Sequence, residues 1–170
     1  MTLTRLSALA RTLTDDRWTL LPLRLIAGFG FASHGYAKLA RGVEPFAAIV
    51  AAMDLPAPLT FAWLTVALEL LGGIALVAGA FTRLLSPPLV VLMLTAAVRV
   101  HLPYGFSSVR LQGFGAAGAK FGPVGYELNL LYIAALVAVA FGGTTPLSVD
   151  RWRARRRERP AYHPTSREGA

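Results

Sequence analysis

The chain has 170 residues, of which 55% are hydrophobic and only 15% are charged. Its mean hydropathy is +0.53, and ordinary soluble domains have about a quarter of their residues charged. A single domain of this size cannot bury so much apolar surface in its own core, which argues against a soluble globular protein. The chain has no cysteine, which excludes disulfides, thiolate metal ligands, iron–sulfur clusters and an internal thiol relay.

Four apolar segments predict four membrane-spanning helices, at residues 20–39, 59–80, 84–101 and 126–143. Twenty helical residues rise about 30 Å, the thickness of the hydrocarbon layer. The first segment differs from a signal peptide because it contains Arg24 and ends in Tyr-Ala-Lys rather than at a small-residue cleavage site. The predicted fold class is therefore all-α, an integral membrane four-helix bundle.

The connections between the spans differ in character. Residues 81–83 are a tight turn, whereas residues 42–58 carry an apolar stripe at helical spacing, formed by Phe46, Ile49, Val50 and Met53. The stripe predicts a short outer amphipathic helix over residues 44–54 that lies on the membrane surface. Residues 103–125 are rich in glycine and predict an irregular loop.

The basic residues predict the orientation of the spans. If there are four, the two tails and the 81–83 turn share one side, which holds eleven Lys and Arg residues against five on the other. The richer side is expected to be cytoplasmic. Residues 1–19 are then a basic cytoplasmic segment, residues 20–143 the transmembrane domain and residues 144–170 a basic cytoplasmic tail. We interpret the tail sequence RWRARRRERP as a topology signal resting on anionic lipid, not as a nucleic-acid site.

Ionisable residues within the predicted spans are the candidate functional residues, because charges inside a membrane are costly. The candidates for catalysis are His34, Glu69, His101 and Glu127, and those for cofactor binding are Arg24, Lys38 and Arg99. Glu69 lies about 15 Å from either end of its span, too deep to reach the headgroups. We therefore expect it to pair with a basic or polar group on the first helix, with His34 as the first choice.

More ordinary roles for these residues stay open at this point. Arg24 and Lys38 have side chains long enough to snorkel toward the headgroups, and Glu127 is placed to complement a helix dipole. The predicted depths of His34 and His101 differ by about a turn and a half, which disfavours a haem between them. No spacing typical of a metal site is present among the histidines and glutamates, so we expect no metal ion.

A series of short motifs resembles the DoxX family of small bacterial membrane proteins over about residues 23–150. In chain order they are LRLIAGFGFASHGYAKL, MDLPAP, ALELLGGIALVAGAFTRL, AAVRVHLPYGF, GYELNLLYIA and LSVD. Residues 110–124 and the GGTTP segment depart from the family's pattern. The resemblance implies a four-helix bundle in the bacterial inner membrane and an association with electron transfer, since some relatives look like subunits of thiosulfate:quinone oxidoreductase.

These observations favour a membrane subunit of a quinone-linked redox system, with quinone as the suspected cofactor and a redox protein or a second copy of the chain as the partner. A non-catalytic subunit or assembly factor is the alternative, followed by a small transporter. We expect a ligand to lie in the outer half of the bundle, with Glu69 as the floor. The 44–54 helix and the 103–125 loop would form its roof.

Overall fold

The computed structural model describes residues 16–157. Within this range there are six α-helices, which are α1 (Asp16–Arg41), α2 (Val43–Ala52), α3 (Pro58–Ala78), α4 (Thr82–Ala96), α5 (Glu127–Phe141) and α6 (Val149–Arg157). A hairpin of two antiparallel strands, β1 (Leu111–Gly115) and β2 (Gly118–Phe121), lies between α4 and α5. The parts of the predicted tails in residues 1–15 and 158–170 lie outside the described range.

Two of the four predicted spans, Pro58–Ala78 and Thr82–Tyr104, are long and apolar enough to cross a membrane. Only 33% and 17% of their most apolar 18-residue stretches are buried, so most of this apolar surface is not covered by the protein itself. The 26-residue α1 contains Arg24 and Lys38, and the 15-residue α5 is short for a hydrocarbon layer. The four-span bundle therefore remains a prediction.

Small residues bring α1 and α3 into close contact. A Cβ atom added to Gly28 would lie 2.8 Å from the carbonyl oxygen of Gly73, and one added to Gly73 would lie 2.7 Å from the carbonyl oxygen of Gly28. Such distances leave no room for a side chain, so the two backbones touch. This close approach is typical of helix pairs inside membranes, and it fixes the depth of Glu69 relative to α1.

A cluster of buried side chains joins the four longest helices. Phe31 of α1, Leu76 of α3, Leu89 of α4 and Leu136 of α5 form its centre. Tyr132 packs edge-on against the ring of Phe31, with the ring centroids 5.2 Å apart. Together these contacts hold the helices around one core, as the bundle prediction requires.

The all-α expectation is wrong between residues 111 and 121, where the predicted loop contains the hairpin. Both strands are exposed along their whole length, so neither has a buried face to impose the alternation of apolar and polar residues by which a strand is recognised. The helix α6 also lies where the sequence predicts only a charged tail, because its run of arginines has no apolar stripe at helical spacing.

The end of the third predicted span is irregular. A π-helical turn at Ala97–His101 follows α4, and a 3₁₀ turn at Leu102–Tyr104 follows that. A π turn contains more residues than an α-helical turn, so the His101 side chain has a different direction from the one it would have in a continued α-helix. This turn brings His101 to the cavity described next.

Candidate functional site

A cavity of about 790 Å³ lies among α1, α2, α3 and α4. The helix α2 covers one side of it, packed on α3 through Val43 and Val50. The predicted amphipathic stripe on α2 lines the cavity with all four of its residues, Phe46, Ile49, Val50 and Met53. Val50 is buried, whereas Ile49 is 52% exposed, so the stripe faces the cavity and only part of it is covered by the protein. The position of α2 on the membrane surface stays a prediction.

The polar part of the cavity is an ion pair between Lys38 Nζ of α1 and Glu69 Oε2 of α3. The side chain of Glu69 is 4% exposed and that of Lys38 is 22% exposed. The Lys38 ammonium also lies 5.0 Å from the centre of the Phe46 ring of α2, a cation–π contact. The Lys38 ammonium thus links α1, α2 and α3 at the cavity wall.

The expectation that Glu69 pairs with a basic or polar group of α1 is confirmed, but His34 as its partner is wrong. Helical side chains lean toward the N-terminus of their helix, so the long Lys38 side chain reaches back to the level of Glu69. Snorkelling of Lys38 away from the bundle is therefore also excluded. His34 lies one turn before Lys38 and lines the same cavity.

His101 lines the same cavity as the ion pair. His101 lines it together with Thr65, Thr95 and Arg41. Its Nδ1 atom lies 3.0 Å from the carbonyl oxygen of Val124, which fixes the orientation of the ring. Four of the seven candidate residues, His34, Lys38, Glu69 and His101, thus line one cavity, whereas the other three do not.

Glu127 orders the loop before α5 instead. Its Oε2 atom accepts a hydrogen bond from the backbone nitrogen of Ser108 at 2.9 Å, and the Ser108 hydroxyl in turn accepts one from the backbone nitrogen of Leu128 at 3.2 Å. Arg99 is exposed and does not line the cavity. The 103–125 loop therefore folds onto the start of α5, and the expectation that it roofs the ligand site is wrong.

Arg24 is buried far from the cavity and has a structural role. It is 2% exposed, and its guanidinium donates hydrogen bonds to Thr145 Oγ1 and to the carbonyl oxygens of Val77 and Leu147, the last two at 3.2 Å. Snorkelling is wrong for Arg24 because residues 145–147 cover this end of the bundle. Its Nε atom is buried and has no hydrogen-bond partner among the described residues. Because Arg24 does not line the cavity, the structure offers no support for a cofactor-binding role there.

Asp150 has a structural role that its local sequence does not reveal. Its carboxylate accepts hydrogen bonds from the backbone nitrogens of Phe81 and Thr82 at 2.9 and 3.1 Å and from the Thr82 hydroxyl at 3.1 Å. It therefore caps the first turn of α4 from α6. The LSVD motif was the available signal, but a capping partner 68 residues away is invisible in local sequence.

No group of three histidine, aspartate or glutamate side chains within residues 16–157 is arranged to hold a metal ion. The polar groups of the cavity are instead one ion pair, two imidazoles, two threonine hydroxyls and the guanidinium of Arg41 on an otherwise largely apolar wall. Such a wall suits an organic ligand with a polar head and an apolar body.

The model of the DoxX family matches residues 19–102 of the chain. The chain belongs to the DoxX family. The match covers every cavity-lining residue, from His34 to His101, and stops before the hairpin, α5 and α6. Together with the two apolar helices, it identifies a DoxX-family membrane protein. Comparisons with curated proteins and with solved structures gave no match.

Proposed function

We propose that this DoxX protein is a four-span inner-membrane subunit that binds a quinone in the cavity and transfers electrons with a partner protein. The observation that carries the proposal is the Lys38–Glu69 ion pair, which lines the same largely apolar cavity as His34 and His101. A quinone has the matching chemistry, since its two carbonyl oxygens accept hydrogen bonds and its tail is apolar.

The shape of the cavity supports a tailed ligand. Its α4 wall runs from Pro88 to His101, which corresponds to about 20 Å of helix. In the proposed topology His101 lies at the outer end of its span and Glu69 near mid-span, whereas the wall near Pro88 is apolar. A headgroup bound at the ion pair would leave its tail to follow this apolar wall toward Pro88.

The cavity has an open side that faces away from the core. Phe61, Leu64 and Val91 line it and are themselves exposed. They belong to α3 and α4, the two helices that are apolar enough to span a membrane. In the proposed membrane position this side meets lipid, and a quinone dissolved in the bilayer enters laterally without crossing water.

The residues at the polar part have complementary roles in this proposal. The Lys38 ammonium and a histidine N–H donate hydrogen bonds to the quinone oxygens, while Glu69 holds the ammonium in place. Two electrons from the partner protein and two protons convert the quinone to the quinol. His34 and His101 are the side chains suited to pass these protons, because an imidazole ring can accept a proton at one nitrogen and donate one from the other.

Binding of a short-tailed quinone to the purified full chain in nanodiscs tests the proposal. The His34→Ala, His101→Ala double variant and the Lys38→Met variant should each bind at least about tenfold more weakly, since a hydrogen bond from a charged or well-oriented donor is lost. Arg99→Gln is the matched control, because Arg99 is near His101 in sequence but outside the cavity. Unchanged binding in both cavity variants, with normal insertion, would refute the quinone site.

A non-catalytic subunit or assembly factor is the second candidate. It is favoured by the way the Lys38–Glu69 pair joins α1 to α3, because such a pair also serves as structural glue inside a membrane. In that case the purified protein should retain a stable protein partner but no quinone. Lys38→Met would then weaken folding and partner retention together.

A further inference from the structure

We propose that α6 and the α3–α4 turn form a binding surface for the headgroups of anionic phospholipids. We name it the basic end surface and define it by Arg153, Arg155, Arg156 and Arg157 with their apolar neighbours Phe81 and Trp152. The proposal is separate from the quinone site, which lies in the outer half of the proposed bundle.

The basic end surface is held firmly by backbone contacts. The Asp150 carboxylate accepts hydrogen bonds from the backbone nitrogens of Phe81 and Thr82, and the Asp150 backbone nitrogen donates to the Gly79 carbonyl oxygen at 3.0 Å. α6 is therefore fixed where α3 ends and α4 begins. These are the ends of the two membrane-capable helices, so their membrane boundary and α6 lie at the same level.

The charge of α6 is almost entirely positive. It contains five arginines, and Asp150 is its one acidic residue, already engaged in capping α4. All four arginines of the basic end surface are exposed. Four exposed guanidiniums close together, with a single carboxylate on their helix, create a positive potential that attracts anions.

Aromatic rings position two of these arginines. The Arg153 guanidinium lies 4.5 Å from the centre of the Phe81 ring, and that of Arg156 lies 3.9 Å from the centre of the Trp152 ring. A guanidinium stacked on a ring keeps its N–H groups at the edge, where they can bind phosphate in a bidentate way. The stacking therefore presents the cations with little loss of side-chain entropy on binding.

The apolar neighbours favour a lipid surface over a nucleic acid or an acidic protein. Phe81 and Trp152 are about half exposed, and Leu84 and Leu147 at the same end are 71% and 78% exposed. Exposed leucines gain nothing from a solvated polyanion, whereas the membrane interface accepts aromatic rings and leucines below a layer of phosphates. The mixture of arginine, tryptophan and leucine thus matches an anionic lipid layer.

Trp152 provides a direct readout. The full chain with Trp18→Phe and Trp63→Phe retains Trp152 as its single tryptophan, and it is reconstituted into mixed vesicles of phosphatidylglycerol and phosphatidylcholine. Two samples are compared, one in which phosphatidylglycerol and one in which phosphatidylcholine carries bromine atoms on its acyl chains near the headgroup. We expect brominated phosphatidylglycerol to quench Trp152 more strongly than equally abundant brominated phosphatidylcholine, and the difference to shrink at high salt.

The Arg153→Gln, Arg155→Gln, Arg156→Gln triple variant should reduce the preference for phosphatidylglycerol at least about fivefold, the factor that corresponds to one arginine–lipid contact. The matched control is Arg99→Gln, Lys120→Gln, which removes exposed charges outside α6. Equal quenching by both lipids in the parent chain would overturn the proposal even if the triple variant failed to fold. Loss of the preference on adding oligonucleotide at physiological salt would also overturn it, in favour of nucleic acid.

Discussion

Lys38 of α1 and Glu69 of α3 form an ion pair within the cavity, and the Lys38 ammonium also contacts the ring of Phe46 on α2. The Glu69 side chain is almost completely shielded from solvent, whereas the Lys38 side chain is partly exposed. Its position makes it both a link between helices and the most polar feature that a ligand in the cavity would meet. Substitutions at these two residues should therefore affect stability and binding in separable ways.

Glu69→Leu should destabilise the protein more than Glu69→Gln does, by about 1–3 kcal/mol. Leucine leaves the Lys38 charge without a partner in an apolar site, whereas glutamine still offers an oxygen as hydrogen-bond acceptor. Thermal unfolding of the purified protein in detergent measures the difference. A double-mutant cycle with Lys38→Met checks the coupling, because strictly additive effects would contradict a direct interaction.

Gly73→Ala should lower stability by about 1–3 kcal/mol, because the added methyl group meets the backbone of α1. The neighbouring Gly72→Ala is a matched control. Its Cβ atom would lie 3.7 Å from the nearest side-chain atoms, those of Leu68 and Leu89, which is ordinary contact. We expect Gly72→Ala to cause no loss of the folded fraction in size-exclusion chromatography. Equal damage by both substitutions would contradict the close crossing of α1 and α3.

Arg24→Leu should cost on the order of 2–4 kcal/mol, since it leaves the carbonyl oxygens of Val77 and Leu147 unpaired. Thr145→Val removes one contact only and should cost about 1 kcal/mol. Arg24→Lys should fold well enough to be assayed and should bind quinone as the parent does, because Arg24 does not line the cavity. A specific loss of quinone binding in Arg24→Lys would restore a ligand role for this residue.

Asp150→Ala should loosen the junction of α6 with the α3–α4 turn at a cost of about 1–2 kcal/mol, the usual value of a lost helix cap. Trypsin should then cleave after the arginines of α6 at a higher rate, because local opening precedes cleavage. Glu44→Ala, at an exposed position in the first turn of α2, should leave that rate unchanged. Equal cleavage rates for parent and Asp150→Ala would exclude a capping role.

The proposed topology has both termini in the cytoplasm and the hairpin outside. A reporter fused after Ala170 should be active as a cytoplasmic reporter, and one inserted at Gly115, in the exposed hairpin, as a periplasmic one. The basis is the ratio of eleven basic residues to five. The reverse pattern would invert the bundle and would place the basic end surface on the outer leaflet.

The amino-acid sequence alone predicted five of the six helical segments of the described range, the family and the need of Glu69 for a partner on the first helix. Long apolar runs and a 3.6-residue stripe are local signals, so α1 to α5 could be located with errors of only a few residues at their ends. The predicted mid-span position of Glu69 likewise follows from counting residues along one helix. That position predicts that the carboxylate needs a partner on the first helix.

Only the tertiary structure decided which residues meet. The choice of Lys38 over His34 depends on the direction in which a side chain leans and on the α1–α3 crossing at Gly28 and Gly73. The cap that Asp150 places on α4 and the burial of Arg24 depend on chain segments 68 and 121 residues away in sequence. Such contacts leave no periodic pattern in the sequence, because each is fixed by packing between distant elements.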